Sequence, residues 1–222
     1  MGTGHTLPGV GLWREQVVPR FTDLTLGIKE VRSHRLRVLT DLRGAVVEIG
    51  FGSGLNVPLY PMEVESVHAV DPSAVGRRLA AKRVAASPVP IEFVGLDGEE
   101  LPLGDESVDA ALSTFTLCTI PDVGRALREV YRVLRPGGRL HFLEHGLAAE
   151  PGIARWQHRL NGLQRRLAAG CNLDRPIDRL IADAGFQITE LHNDWLKGPR
   201  PSKPWSYLYE GAATKPTDQA KD

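Results

Sequence analysis

The sequence predicts an α/β domain built on an open, mainly parallel sheet with helices on both faces. Three observations carry that prediction. First, Val46-Val47-Glu48-Ile49-Gly50-Phe51-Gly52-Ser53-Gly54 passes from a β-branched apolar run into glycines at every second position. That is the pattern of a buried strand entering a tight turn whose bare backbone a ligand can approach. Second, short apolar runs alternate with helical stretches from Val64 to Leu134, as in sheets whose strands are joined by crossover helices. Third, Asp71 closes the second strand roughly twenty positions beyond the glycine loop, where a carboxylate can grip ribose hydroxyls.

Taken in order, Met1 to Gly11 is glycine-rich and polar and reads as a poorly ordered lead-in. Leu12 to Leu42 reads as helical segments separated by Pro19 and Gly27, with Ile28, Val31, Leu36 and Leu39 as the apolar face. Residues 1–43 are thus an N-terminal helical segment and a candidate lid over the ligand pocket. Ala45–Ile49 is the first strand. A dinucleotide fingerprint needs a third glycine where this chain has Leu55, and Glu48 would repel a pyrophosphate. The corner therefore suits a nucleoside ligand without phosphates. A helix is expected from Leu55, its free N–H groups facing the ligand, with Pro58 and Pro61 limiting it to little more than one turn.

Val64–Val70 is the second strand, ending at Asp71-Pro72. The plain alternative for Asp71 is a cap on the following helix. That helix, Pro72 to Ala86, turns Val75, Leu79 and Ala80 inward, leaving Arg77-Arg78 and Lys82-Arg83 on a solvated face. Ile91–Val94 is the third strand. Asp97-Gly98 opens a polar turn able to accept a hydrogen bond from an adenine amine. Ser107–Ser113 forms the fourth strand and opens into Thr114–Thr119, which should line the pocket because ligands sit beyond the carboxyl ends of parallel strands.

Asp122 caps a periodic helix with Val123, Ala126, Leu127, Val130, Val133 and Leu134 on one face. It stops at Pro136-Gly137-Gly138, and Arg139–Glu144 is strand five. His145, at its carboxyl end, is a candidate general base, against the alternative of a hydrogen-bonded loop histidine. His141 and His145 stand four apart, but no Cys or acidic cluster completes a metal site around them, so no metal is expected. Glu150 to Leu173 is a helical excursion with Ile153, Trp156, Leu160, Leu163 and Leu167 at helical spacing, made basic by Arg155, Arg159, Arg165 and Arg166. It reads as a helix over the pocket mouth, or as a surface for a membrane or partner. Cys171 has no base assignable to it and reads as a buried structural cysteine. Asp174 to Ala184 is a further helix, Phe186–Leu191 strand six, Gly198 to Pro204 a loop, Trp205–Gly211 strand seven, and 212–222 a disordered tail.

The totals exclude several classes. The chain has 222 residues, enough for one domain with a substantial core. Its 27 basic and 27 acidic residues cancel, so no field favours nucleic acid or an anionic membrane. Two cysteines do not make a secreted disulfide scaffold, and no apolar run approaches membrane-spanning length. A cytoplasmic location is the simplest reading.

The Glu48–Gly54 loop, Asp71, Asp97-Gly98 and the Leu134-Arg135-Pro136-Gly137-Gly138 turn, in that order, resemble class I S-adenosylmethionine (SAM) methyltransferases from Gly44 to Gly211. The chain is also similar to quinone-biosynthesis C-methyltransferases from Asp97 to Glu144. A closer likeness is to the methyltransferase-like thiol S-methyltransferase group. It rests on Gly54-Leu55-Asn56 with Tyr60-Pro61, Thr114 with Leu117-Cys118, Phe142-Leu143-Glu144-His145, and Gly170-Cys171-Asn172-Leu173. Animal members of that group begin with a hydrophobic membrane anchor, and nothing equivalent precedes Arg20 in this sequence.

The resemblance implies a Rossmann-like seven-stranded sheet in the order 3-2-1-4-5-7-6, the last strand antiparallel, spanning a methyltransferase domain over 44–211 with residues 150–184 over the acceptor site. It implies SAM as cofactor, leaving as S-adenosylhomocysteine. Gly50, Gly52 and Gly54 would let the backbone approach its amino-acid end, and Glu48 would lie near its ammonium. Asp71 would take the ribose hydroxyls, Asp97 with Gly98 the adenine, and Thr114 with Leu117 the methionine arm. Phe51, Asn56 and Pro72 complete the cofactor-binding set. The expected activity is methyl transfer to a small hydrophobic acceptor, preferentially a thiol. The alternatives are C-, O- or N-methylation of a quinone, phenol or phospholipid amine, and SAM-binding regulation without turnover.

Overall fold

The structure, a computed structural model, describes residues 16–217. Two helices, α1 (Val18–Leu26) and α2 (Lys29–Leu39), precede the sheet. Then follow β1 (Gly44–Ile49), β2 (Val64–Val70), α3 (Ala74–Ala85), β3 (Ile91–Gly95), β4 (Val108–Thr114) and α4 (Val123–Val133). The chain ends with β5 (Leu134–His145), α5 (Pro151–Leu167), α6 (Ile177–Asp183), β6 (Gln187–Trp195) and β7 (Tyr207–Thr214). The seven strands make one sheet in the order β3-β2-β1-β4-β5-β7-β6. Pairing is parallel from β3 across to β5, and β7 runs antiparallel to both β5 and β6. The carboxyl ends of β1, β2, β4 and β5 therefore open on one edge, the site-bearing edge of such sheets.

Two apolar layers hold the helices to the sheet. One face packs Val46, Val67 and Leu112 against Val38 and Leu39 of α2 and Ala80 of α3. The other packs Val47, Ile49 and Phe142 against Leu127 and Val130 of α4 and Ile177 and Ile181 of α6. The α4 cap and inner face are as expected: Asp122 accepts from the Arg125 N–H at 2.9 Å, and Val123, Ala126, Leu127, Val130 and Val133 are buried. But the helix ends at Val133, and Leu134, expected on its face, already begins β5.

Several expectations need correction. The two prolines leave no α-helix after the glycine loop; Val57–Leu59 is a single 3-10 turn, with no run of free N–H groups. Pro19 does not divide a helix but sits in the first turn of α1, where its missing N–H costs nothing. The inner face of α2 is Val31, His34, Arg35, Val38 and Leu39, while Ile28 and Leu36 are exposed. Two polar residues can face inward because each finds a buried partner. His34 Nδ1 lies 2.7 Å from Glu210, and Arg35 donates to Asn56 and Thr114.

Nor are the basic pairs of α3 merely solvated. Arg77 lies over the Phe93 ring and donates to the Gly95 carbonyl, and Arg83 bridges Asp23 and the Ser53 carbonyl. Through this one side chain α3 ties α1 to the glycine loop. Strand β6 runs on to Trp195, an edge whose Glu190, His192 and Asp194 discourage further pairing. The expected tail begins too early: Ala212 and Ala213 are buried in β7, paired with Glu190 and Ile188. The expected loop from Gly198 holds a 3-10 turn, Arg200–Trp205, so Trp205 belongs to that turn and strand seven begins only at Tyr207. The lead-in expected before residue 16 and the tail beyond 217 lie outside the described residues. No helix among the described residues is long and apolar enough to cross a membrane.

Candidate active site

At the carboxyl edge of β1, β2, β4 and β5 lies an open cavity of about 1740 Å³. Single small-molecule sites span roughly 300–1,000 Å³, so this one has room for two molecules side by side. Its wall includes Gly50, Phe51, Gly52, Asp71, Pro72, Asp97, Gly98, Thr114 and His145 of the expected set.

The glycine-loop side is organised by backbone. Gly50 has φ +71°, and a Cβ there would collide with the Thr116 side chain. Gly52 has φ +56°, yet the space where its Cβ would stand is open. The bare backbone at Gly52 thus faces room a ligand can fill. Asp71 fastens this turn: it accepts from Gly52 N–H at 2.6 Å and from Ser73 N–H at 2.7 Å. The helix cap is Ser73, which accepts from Gly76 N–H. Burial raises the Asp71 carboxyl above its usual range, against the pull of its two backbone hydrogen bonds. Asp97 is exposed at the rim and accepts from Glu99 N–H.

Four expected residues stand behind the wall. Glu48 is sealed by Asn56, which donates at 2.9 Å, and by the Tyr60 hydroxyl. Burial pushes its carboxyl up to about 7, against hydrogen bonds from Tyr60 and Asn56. It therefore touches the cavity through Asn56 and Arg35, which donates to Asn56 Oδ1 and Thr114 Oγ1, each at 2.7 Å. Burial lowers the Arg35 guanidinium to about 10. Gly54 turns toward Val57 and Ala80. Leu117 is wholly buried in the core, and its carbonyl accepts from Arg175, so neither its side chain nor that oxygen faces the cavity.

Arg35 itself lines the cavity, and its Nε has no hydrogen-bond partner among the described residues. Sequence reasoning missed it because an arginine in a basic helix carries no mark of facing inward.

The opposite side is built from distant segments. Helix α5 and the turn after it contribute Arg165 to Asn172, the 3-10 turn contributes Trp205, and α1 closes the roof with Val18, Phe21, Thr25 and Leu26. The apolar stripe expected on α5 packs only in part: Ile153 lies against the core and Leu160 is half-buried, whereas Trp156, Leu163 and Leu167 are exposed and Gln157 is the fully buried residue. Gln157 holds α5 by donating to the Gly146 and Pro204 carbonyls and accepting from Ala148 N–H. Buried polar anchoring thus supplements the apolar contact made by Ile153.

Cys118, His145 and Cys171 meet on this side. Cys171 Sγ lies 3.3 Å from His145 Nε2 and 3.7 Å from Cys118 Sγ. A base is thus assignable to Cys171 after all; it lies twenty-six residues away in sequence, which no local pattern reveals. The hydrogen-bond contact with Cys118 lowers the Cys171 thiol, against its burial, with the His145 charge assisting. The same contact and burial push Cys118 up. Burial pulls His145 down, but the Cys171 hydrogen bond and charge outweigh it, and the imidazole is raised overall. His145 Nδ1 has no hydrogen-bond partner among the described residues. Below the corner, buried Glu144 accepts from Ser113 Oγ and from the Thr116 N–H.

An open α/β sheet with a glycine loop, an acidic second-strand end and a two-compartment cavity defines an enzyme that acts on a nucleoside-bearing cofactor. Comparisons narrow that class. The methyltransferase-domain family matches residues 47–142. Rat (Rattus norvegicus) thiol S-methyltransferase TMT1B is 32% identical over 214 residues, covering 88% of this chain and 86% of its own. Human (Homo sapiens) thiol S-methyltransferase TMT1A is 35% identical over 154 residues, covering 67% of this chain and 62% of its own, less than two thirds of its length. The crystal structure of a SAM-dependent methyltransferase from Thermotoga maritima, a possible histamine N-methyltransferase, superposes with a TM-score of 0.63. It is 26% identical and covers 91% of this chain and 98% of that one. The chain belongs to the class I SAM-dependent methyltransferases.

Proposed function

We propose that the protein transfers the methyl group of SAM to a small apolar thiol held between the glycine loop and the Cys118–His145–Cys171 corner. The observation that carries this reading is convergence. The residues behind the thiol S-methyltransferase resemblance, Leu117-Cys118, Glu144-His145 and Cys171-Asn172, gather in three dimensions beside a cavity walled by Leu26, Leu167 and Trp205.

SAM, when bound, supplies a methyl on a cationic sulfur already activated for displacement. The chain's own residues hold and align. Gly50 and Gly52 admit the amino-acid end, with Arg35 as the cation for its carboxylate and Glu48 setting the position of Arg35 through Asn56. Asp71 keeps lone pairs beyond those used by Gly52 and Ser73 and takes the ribose hydroxyls. Asp97 and Gly98 frame the adenine. Helix α1, which roofs the cavity, serves as a lid that excludes water. Alignment of two held reactants accounts for about 7–11 kcal/mol of barrier lowering in favourable cases. A thiol with pKa near 8.5 needs modest help to ionise, and the corner containing His145 is where its proton is lost.

The test is incubation of purified protein with methyl-deuterated SAM and an apolar alkyl thiol, read by mass spectrometry. A deuterated thioether that disappears with Asp71→Ala supports the reading. SAM binding with no thioether moves the acceptor to a quinone, phenol or phospholipid amine. Loss of both sinks the cofactor assignment as well.

A further inference from the structure

We infer that Cys118, His145 and Cys171 form a binding site for a thiophilic divalent cation of the zinc type, with its fourth position open to the acceptor thiol. This deepens the proposed function and rests on it for the identity of the acceptor. Two sulfurs and one imidazole are the donor set that selects zinc-type ions over magnesium or calcium. The spacing agrees. Zinc–sulfur bonds of about 2.3 Å and zinc–nitrogen bonds of about 2.0–2.1 Å, arranged tetrahedrally, place two sulfurs about 3.8 Å apart and a sulfur and nitrogen about 3.6 Å apart. The corner has Cys118 Sγ and Cys171 Sγ at 3.7 Å and Cys171 Sγ and His145 Nε2 at 3.3 Å. All three ligand atoms lie within 4.8 Å of one another. Two of the three separations thus already match a tetrahedral site, and drawing the three ligand atoms onto one ion asks only for small side-chain adjustments within the 4.8 Å they span.

The ligands are also held in place before any ion binds. Asn172 joins the two cysteine-bearing loops, its N–H and its side-chain amide both donating to the Cys118 carbonyl, at 2.8 and 3.0 Å. Arg175 braces the Cys118 loop by donating to the Leu117 and Pro121 carbonyls. His145 ends a central strand. A site carried on such fixed elements loses little entropy on loading.

Its openness distinguishes a working centre from a structural one. Structural zinc is closed by four protein ligands, whereas catalytic zinc keeps three and leaves one position free. Here all three ligands line the cavity. An acceptor thiol taking the fourth position loses its S–H proton to solvent as its sulfur binds the cation. The new C–S bond then forms to that sulfur while the methyl–sulfur bond of the cofactor breaks, its electron pair staying on the departing sulfur. The uncharged thioether is a weak ligand and leaves. His145 in this arrangement is a ligand, not the base.

Cobalt(II) titration of the purified full chain, kept reduced and anaerobic, tests the site without relying on turnover. The expected result is one ion per chain, four-coordinate d–d bands and a near-ultraviolet charge-transfer band sized for two thiolates. Cys118→Ser and Cys171→Ser should each halve that band while SAM affinity stays within about threefold of wild type, showing the variants folded. An apolar alkyl thiol should add a third thiolate contribution. No charge-transfer band, a band unchanged in both serine variants, a spectrum indifferent to the thiol, or a Cys118–Cys171 disulfide formed in place of metal binding would each overturn the inference. Full-rate thioether formation after chelation also overturns it, yet leaves the acceptor reading standing. A thiol-responsive cobalt spectrum without methyl transfer does the reverse.

Discussion

The two sides of the cavity are held by different means. The glycine-loop side is a continuous turn between neighbouring parallel strands, fixed by Asp71 on the Gly52 and Ser73 amides and by buried charges behind it. The opposite side is assembled from the ends of β4 and β5, the turn after α5 and the 3-10 segment before β7. Side-chain contacts such as Gln157 on Gly146 and Pro204 hold it together. The first arrangement builds a fixed wall from local sequence. The second can be rebuilt segment by segment, which is how one fold serves many acceptors.

If that contrast is right, the largest effect comes from Asp71→Ala. It removes two backbone hydrogen bonds to a carboxylate, each worth about 1.5–3 kcal/mol where a charged group is involved, and the group assigned to the ribose. SAM affinity measured by calorimetry should fall by more than about a hundredfold, with cobalt binding at the cysteine corner unaffected. A dissociation constant within threefold of wild type would break the comparison, because the loop would then not depend on its acidic fastener.

The next effect concerns the charges beneath the loop. Glu48 has its folded pKa raised by burial from 4.5 to about 7. Between those values the native state holds the proton and the unfolded chain does not, so stability falls as pH rises through the window. The contribution is fully present below 4.5 and lost as pH passes 7. Glu48→Gln cannot titrate. The difference in urea stability between wild type and variant should therefore change by on the order of 3 kcal/mol across the window, to the disadvantage of wild type at the high end. A pH-independent difference would mean that water reaches Glu48, and that the glycine-loop side is looser than its geometry indicates.

The contrast also explains what could be read in advance. The individual strands, the Asp122 cap and the Gly50–Asp71 corner depend on residues close in sequence, or on apolar periodicity, and are legible there, whereas the strand order follows only from the family resemblance. Arg35 was not, because its direction is decided by Asn56 and Thr114 on other elements. The basic excursion does lie over the pocket mouth, one of the two readings its sequence offers, but only part of its apolar stripe packs inward. Its seating depends on one glutamine, and a single buried polar contact leaves no period in a sequence. Cys171 looked structural because its partners, His145 and Cys118, are brought to it by the topology of the sheet. After the glycine loop, the two prolines allow only a 3-10 turn rather than the short α-helix their spacing suggests.

The smallest effect is expected from Trp205, and it separates the two sides most cleanly. Its ring is partly exposed at the cavity mouth, and its Nε1–H donates to Gln164 Oε1 at 3.0 Å, joining the 3-10 turn to α5. Trp205→Ala removes apolar wall from the acceptor compartment and leaves Gly50, Gly52 and Asp71 untouched. Incomplete burial limits the loss to about 1–2 kcal/mol, roughly a tenfold rise in KM for an apolar thiol. SAM affinity should stay unchanged, and so should kcat, because the ring contributes to binding before and during transfer alike. Steady-state kinetics over a series of alkyl thiols adds a finer reading. The penalty should grow with chain length until the thiol outreaches the missing wall, then level off. A loss in kcat with KM unchanged would instead assign Trp205 to alignment of the reacting sulfur. The acceptor side would then be as rigidly specified as the glycine loop, and the contrast between a fixed receptor and a rebuildable one would fail.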